Sequence, residues 1–374
     1  MSEPIIIIGG GLAGLTCAIH LAQRGLSVTL IEKGSYPRHK VCGEFLSNEI
    51  LPYWDSLGID LSPFGPVTIT NMLLSTVSGK TVGTQLPIGG FGISRYTLDK
   101  LLYEKAKAEG VTMLQDTVTE VSFDKAQFTI TLASGNVLYT DIAIGAYGKR
   151  ANIDQKLQRP FFAKKSPWLA VKAHYSGNVS SDTVQLHNFI GGYCGVSMVA
   201  QNTINICYLA DYKTFGQYRD TAAYETAVLY RNPQLKRIFE NCDPLFDKPL
   251  TISQVSFDRK STLADHMLMI GDTAGLIHPL CGNGMAMAVH SAKIAAELVQ
   301  QYRGRQLTRT MMEDRYLSDW NLAFSQRMNA GRLLGKMMQS NTAAELLIEV
   351  LATFPSVLPA IIRRTHGKPL MPAA

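Results

Sequence analysis

The opening stretch constrains the fold more than any other part of the chain. "IIIIGGGLAGLTCAIHLAQRGLSVTLIEKG" sets four isoleucines before a glycine-rich turn, then a helix-like segment, then a second apolar run ending at Glu32. A short β-branched run bounded by glycines reads as a buried strand. Gly9, Gly11 and Gly14 follow at G-x-G-x-x-G spacing. In a strand–turn–helix unit the first such glycine makes the tight turn, the second admits a pyrophosphate, and the third packs helix on strand. Leu12 and Ala13 open the helix, where free N–H groups attract phosphate. Glu32 lies about 20 residues farther on, where a carboxylate accepts from ribose hydroxyls and repels a 2′-phosphate; Lys33 follows it. The stretch predicts a dinucleotide site not built for NADP. The alternative is a glycine-rich turn in another α/β domain, and the acid in register argues against it.

At 374 residues the chain suits two intimately joined domains. Charged residues make up 18% of it and the formal charge is +6, with the basic residues scattered. That is too mild and diffuse for a nucleic-acid surface. No basic leader precedes the first strand, and no uninterrupted apolar run reaches about 18 residues. The six cysteines show neither metal-type spacing nor a secreted disulfide framework, and no Ser-His-Asp set stands out. These features predict a metal-free cytoplasmic protein.

Farther along, "SRYTLDKLLYEKAKAEG" reads as a helix with Leu98, Leu101, Leu102 and Ala106 on its apolar positions. "VLYTDIAIGAYG" is a buried strand ending in glycines, and "ADHMLMIGDTAG" repeats that grammar. Short alternating runs such as "WLAVKAHY", "GGYCGVSMV" and "TINICYLADY" predict an antiparallel sheet.

The fingerprint, "GAYG" and "GDTAGLIHPLCGNGMAMA" together resemble the three FAD-binding motifs of the p-hydroxybenzoate hydroxylase superfamily. "YPRHKVCGEFLS" resembles the Lys-x-Cys-Gly loop of its geranylgeranyl reductase-like branch. The resemblance implies FAD and an α/β fold: a Rossmann-like FAD-binding domain, an α+β substrate domain built on an antiparallel sheet, and C-terminal helices. The expected boundaries are 1–65, 88–159 and 257–305 for the FAD-binding domain, 66–87 and 160–256 for the substrate domain, and 306–374 for the helical region. The resemblance also implies that Gly271 and Asp272 hold ribitol hydroxyls, and that Pro279, Gly282, Asn283, Gly284 and Met285 face the pyrimidine end of the isoalloxazine. Arg95 would line the FAD, and the backbone of Val118 would touch adenine. A helix N-terminus also suits the negative charge of a reduced flavin on physical grounds.

Two departures stand out. Tyr147 replaces the aspartate usual in the second motif, and "GGYCGVSM" keeps Tyr193 but not the aromatic run of the reductase branch. The first departure weakens any inference about NADPH, and the second leaves the isoprenoid substrate untransferred.

Candidate chemistry falls on Cys42, just after His39 and Lys40, and on Tyr193, with His187, Phe189 and Cys194 as further lining residues. Cys42, Cys194 and Cys281 form either a redox trio or apolar fillers. The expected function is a reductase or dehydrogenase moving hydride between flavin N5 and a carbon of a hydrophobic, lipid- or polyketide-like molecule. NAD(P)H or a redox protein would be the electron donor. A flavin monooxygenase and a non-catalytic electron carrier are the alternatives; a halogenase fits less well because no Trp-x-Trp-x-Ile-Pro motif is present. The apolar C-terminal segment, ending in Arg363 and Arg364, suits a peripheral contact with the inner face of a membrane or a lid. Docking onto the protein's own substrate domain is the alternative, and the favoured one.

Overall fold

The computed structural model describes residues 3–373. The isoleucine run forms the strand Ile5–Ile8 at the centre of a six-stranded sheet. Val28–Glu32 and Thr112–Gln115 lie in parallel on one side of it. Ala143–Gly145 and Met267–Met269 lie in parallel on the other, edged by the short antiparallel Leu263–Ala264. All four isoleucines are buried, as expected of a parallel strand covered on both faces. The helices Leu12–Gln23, Arg95–Ala108 and Gly284–Arg303 pack together beside this sheet. A small antiparallel sheet, Val118–Asp124, Gln127–Leu132 and Val137–Thr140, joins the same unit.

The second sheet has nine strands. Trp168–Gly177, Thr203–Asp211, Gly192–Ala200 and Thr183–Phe189 are neighbours in that order and antiparallel. The expectation of a purely antiparallel sheet fails at one place. Thr183–Phe189 pairs in parallel with Val67–Ser75. Those two strands come from distant chain segments, so no hairpin forces them to run in opposite directions.

The expected domain boundaries shift for a related reason. The strand Thr81–Gly92 continues past Pro87, and Phe45–Ser47 pairs with its end, so residues on both sides of the predicted boundary belong to the large sheet. Pro87 and the glycines after it read as a break. The chain absorbs that break as a bulge: Ile69 pairs with Gly90 and Asn71 with Gln85, which leaves Leu86–Gly89 looped out.

The C-terminal region is helical, with Arg309–Gln339, Asn341–Thr353 and Val357–Thr365. The last two helices pack on the Thr81–Gly92 strand, and Ile348, Leu351, Leu358 and Ile362 join a buried cluster with Ile69, Met72, Leu186 and Tyr193. The docking alternative therefore accounts for their buried faces. No single helix among the described residues is long and apolar enough to cross a membrane; the last two pass by composition together but are bent by 115°. The tail returns to the nucleotide-binding unit, where the N–H groups of Gly367 and Leu370 donate to buried Glu49, to Oε2 at 2.5 Å and to the backbone oxygen at 2.7 Å.

Candidate flavin and substrate site

The fingerprint glycines divide their work as the spacing implies. Gly9 adopts φ +110°, and a β-carbon there would strike the Ala146 carbonyl; one on Gly14 would strike the Gly9 carbonyl. A β-carbon on Gly11 would meet nothing nearer than Lys40 Nζ at 4.0 Å. Gly11 also caps the Leu12–Gln23 helix without a side-chain hydrogen bond, which leaves the N–H groups around Leu12 and Ala13 for a ligand. The open cradle and the free donors fit the pyrophosphate of FAD.

Glu32 ends its strand buried. Its carboxylate accepts from the Gly10 N–H at 2.8 Å and the Gly34 N–H at 3.0 Å, and pairs with Arg38 at 2.5 Å. Burial opposes the charge, but Arg38, the Gly34 N–H and Lys40 outweigh it and hold the carboxyl below its ordinary range. Oε1 is taken up by Gly34 and Arg38, and Oε2, which accepts only from Gly10, keeps a lone pair for a sugar hydroxyl. Val118 opens the first strand of the small antiparallel sheet, two residues beyond Asp116, whose N–H donates to the Glu32 carbonyl at 3.2 Å. Lys33 is exposed.

The third motif supplies the other wall. Gly271 turns at φ +60°, and its N–H donates to Ser291 Oγ at 2.9 Å. Lys260 holds the Asp272 carbonyl at 2.8 Å, while the Asp272 carboxylate has no hydrogen-bond partner among the described residues. Asp272, Gly284, Met287 and Ala288 line one cleft, closed by Trp320. Pro279–Cys281 forms a tight turn, Gly282 adopts φ +61°, and the helix then starts at Gly284 and Met285 without a side-chain cap. Asn283 is spent elsewhere: it donates to Glu49 Oε2 at 3.2 Å. An unpaired acid near an uncapped helix start suits the ribitol and the pyrimidine of a flavin.

Cys42 lies over this helix start, its sulfur 3.3 Å from that of Met285. Its loop is pinned to the large sheet, where Asn205 Nδ2 donates to the carbonyls of Cys42 and Gly43 at 3.2 and 2.9 Å. Glu44 adopts φ +54° and is fully buried. It accepts from Lys172 Nζ at 2.6 Å, His174 Nε2 at 2.6 Å and the Arg95 N–H at 2.7 Å. Despite its burial, these partners hold Glu44 below its ordinary range. The Arg95 guanidinium turns to Asp99 in a two-pronged pair at 2.7 and 2.9 Å, joined by Lys40 at 2.8 Å. Arg95 thus anchors the cradle through Asp99.

The redox trio is not assembled. Tyr193 and Cys194 are consecutive on one strand and project to opposite faces. Tyr193 joins the cluster beneath the C-terminal helices, whereas Cys194 and Phe189 join the cluster on the other face, with Tyr224 and Leu235. His187 also leaves the substrate face; its Nδ1 bonds Ser75 Oγ at 2.7 Å. The thiol on the same face as Tyr193 is Cys207, paired in register with Gly195. Burial pushes Cys207 and Cys281 each up to about 12, so both are protonated and behave as apolar fillers.

Several residues escaped the reading of the sequence. Lys172 and His174 stand two apart within the apolar "WLAVKAHY", a signal that both face one side and share a partner. Asp154 had no such signal. It accepts from the Tyr147 hydroxyl at 3.1 Å and pairs with Arg159 at 2.7 Å, so a buried acid does adjoin the second motif, supplied from farther along the chain.

A nucleotide-binding Rossmann-type unit with an uncapped helix start beside an open acid, roofed by a large mixed sheet, defines an FAD-dependent oxidoreductase. Comparisons agree. A family profile described as FAD dependent oxidoreductase matches residues 4–41. The chain is similar to the menaquinone reductase of Mycobacterium tuberculosis, 23% identical over 86% of this chain and 82% of that one. It is similar to digeranylgeranylglycerophospholipid reductase 2 of Methanothermobacter thermautotrophicus, 23% identical over 99% and 93%. Among solved structures, the geranylgeranyl bacteriochlorophyll reductase-like protein of Thermoplasma acidophilum superposes with a TM-score of 0.75 at 18% identity, covering 97% of this chain and 96% of that one. The flavin-dependent halogenase CmlS superposes at 0.77 and 21%, with 87% of this chain covering 63% of the halogenase. The chain is an FAD-dependent oxidoreductase whose fold is shared by geranylgeranyl reductase-like proteins and flavin halogenases.

Proposed function

We propose that this oxidoreductase is a reductase of a hydrophobic, lipid- or polyketide-like molecule. The observation that carries the reading is the Cys42 loop. Its thiol stands against Met285 at the helix start, and Asn205 and Glu44 hold the loop to the substrate sheet. The chemistry that bound FAD supplies is hydride exchange between its N5 and a substrate carbon. The chain's own share is positional. Gly284 and Met285 present N–H groups toward the negative charge of a reduced ring. With FAD bound, Cys42 would offer its thiol as a proton donor next to the helix start that holds the ring. The apolar sheet face and the C-terminal helices keep water out. Two relatives named for reducing a quinone and a phospholipid support a lipophilic substrate.

The test is anaerobic. Protein reduced with dithionite is mixed with apolar enones or alkenes, and the oxidised flavin absorption is expected to return without oxygen. Cys42→Ser is expected to keep FAD and to slow turnover at least tenfold. Reoxidation that requires oxygen, with substrate-dependent adduct absorption, would replace this reading with a monooxygenase.

The reading extends to location: a cytoplasmic protein touching the inner membrane face through its C-terminal helices. Leu346, Val350 and Phe354 form an exposed apolar stripe on Asn341–Thr353, and Arg363 and Arg364 are exposed on the next helix. Co-sedimentation with anionic vesicles, lost in Leu346→Glu/Phe354→Glu, checks it; equal binding by that variant would reject the contact.

A further inference from the structure

Two polar side chains project into the apolar layer beneath the C-terminal helices without protein partners. The His278 ring lies 4.7 Å from Phe257 and 5.8 Å from Tyr193, centroid to centroid. His278 is 6% exposed, and its Nδ1 is buried with no hydrogen-bond partner. Tyr193 is 7% exposed, and its hydroxyl makes no hydrogen bond among the described residues. An unpaired buried polar atom costs about 1–3 kcal/mol. Phenylalanine at position 278 would stack as well without that cost, which falls on His278 Nδ1.

Their location gives the expense a use. His278 immediately precedes the Pro279–Cys281 turn that leads to the Gly282–Gly284 helix start. Tyr193 comes from the facing sheet, amid Leu186 and Leu209. The Arg309–Gln339 helix crosses with glycines here: a β-carbon on Gly335 would lie 2.5 Å from the His278 ring, and one on Gly331 3.0 Å from Cys281 Sγ. Leu358 and Ile362 of the last helix close the layer. Burial pushes His278 down to about 4 and Tyr193 well up, so both are neutral at physiological pH. Lys172, on the same sheet face, is already paired with Glu44. A phosphate or carboxylate would lie here without a counter-charge, whereas a neutral oxygen could accept from the Tyr193 hydroxyl.

We propose that Tyr193 and His278 form a head-group subsite that binds the carbonyl oxygen of a lipophilic ketone or quinone, with the apolar remainder against Leu186, Leu209, Leu358 and Ile362. This rests on reading the same layer as the substrate chamber of a reductase, and names the group that chamber recognises.

The experiment compares duroquinone with durene, the hydrocarbon of the same shape without the oxygens. Binding to the FAD-loaded, oxidised protein is followed by calorimetry and by the flavin absorption change. The native protein is expected to bind duroquinone at least tenfold more tightly than durene. Tyr193→Phe and His278→Phe are each expected to reduce that preference threefold or more, and the double variant to abolish it, with durene affinity unchanged. FAD content and Tm report folding. If His278→Phe loses FAD, Tyr193→Phe decides, since it deletes a single oxygen. Equal affinity for the two probes in the native protein, or a preference retained without the Tyr193 hydroxyl, overturns the subsite. A quinone that binds through Tyr193 and His278 yet fails to reoxidise the reduced protein anaerobically leaves the subsite standing and removes the reductase reading.

Discussion

Glu32 and Glu44 show how differently two buried acids serve one chain. Glu32 is tied to Arg38 and two N–H groups, with one lone pair on Oε2 left for a ribose. Glu32→Ala is expected to weaken FAD binding by about 1–3 kcal/mol, the range for hydrogen bonds to a charged group. Titrating the apoprotein with FAD checks this, and unchanged affinity would remove Glu32 from the site. Glu44 binds protein only, so its loss acts on stability. Glu44→Gln leaves Lys172 buried beside a neutral group, a change expected to cost about 3–5 kcal/mol. Urea midpoints measure it, and Glu44→Gln/Lys172→Met is expected to recover much of the loss. A single variant as stable as the native protein would contradict the pairing. Glu32 was legible in the sequence because strand and helix lengths set its distance from the glycines. Glu44 was not, since its charged partners Lys172 and His174 lie on a strand more than a hundred residues away.

The first strand–helix unit and the third-motif helix were legible as elements for the same reason. Their glycines answer to local geometry, and local geometry is written in neighbouring residues. Two substitutions separate the roles. Gly14→Ala sets a β-carbon on the Gly9 carbonyl and is expected to lower the Tm of the apoprotein markedly. Gly11→Ala meets open space in the protein and is expected to leave the apoprotein Tm unchanged while weakening FAD binding at least tenfold. Thermal melts with and without FAD distinguish them; equal losses in both variants would refute the division. The sheet strands were harder to read. Tyr193 and Cys194 were read as lining one pocket, although consecutive strand residues face opposite sides, and which one faces the C-terminal helices depended on pairing with strands elsewhere.

Across the whole molecule, several histidines are buried and neutral. Burial is the main cause that lowers His20 and His278 to about 4 and His187 and His290 to about 3. The unfolded chain therefore binds more protons than the native one from about pH 6.5 down to those values. Stability present above that window is lost as pH falls through it, by up to about 1.4 kcal/mol per pH unit for each histidine. Urea midpoints are expected to drop between about pH 7.5 and about pH 5, and a midpoint that held or rose would contradict the burial.

Periodicity and turn chemistry were enough for a dinucleotide site and the helical C-terminus, because strands, helix starts and glycine turns respond to side chains a few residues apart; FAD followed from the resemblance of the three motifs. Long-range pairing settled the rest. The parallel contact of Thr183–Phe189 with Val67–Ser75, the extension of the large sheet to Phe45–Ser47, and the seating of the last helices on that sheet join segments that carry no local mark of each other. The same holds for Cys42 above Met285, Asp154 behind Tyr147 and His278 beside Tyr193. Each of these arises only when folding spends chain entropy to bring distant groups together, and burial of the shared apolar surface repays it.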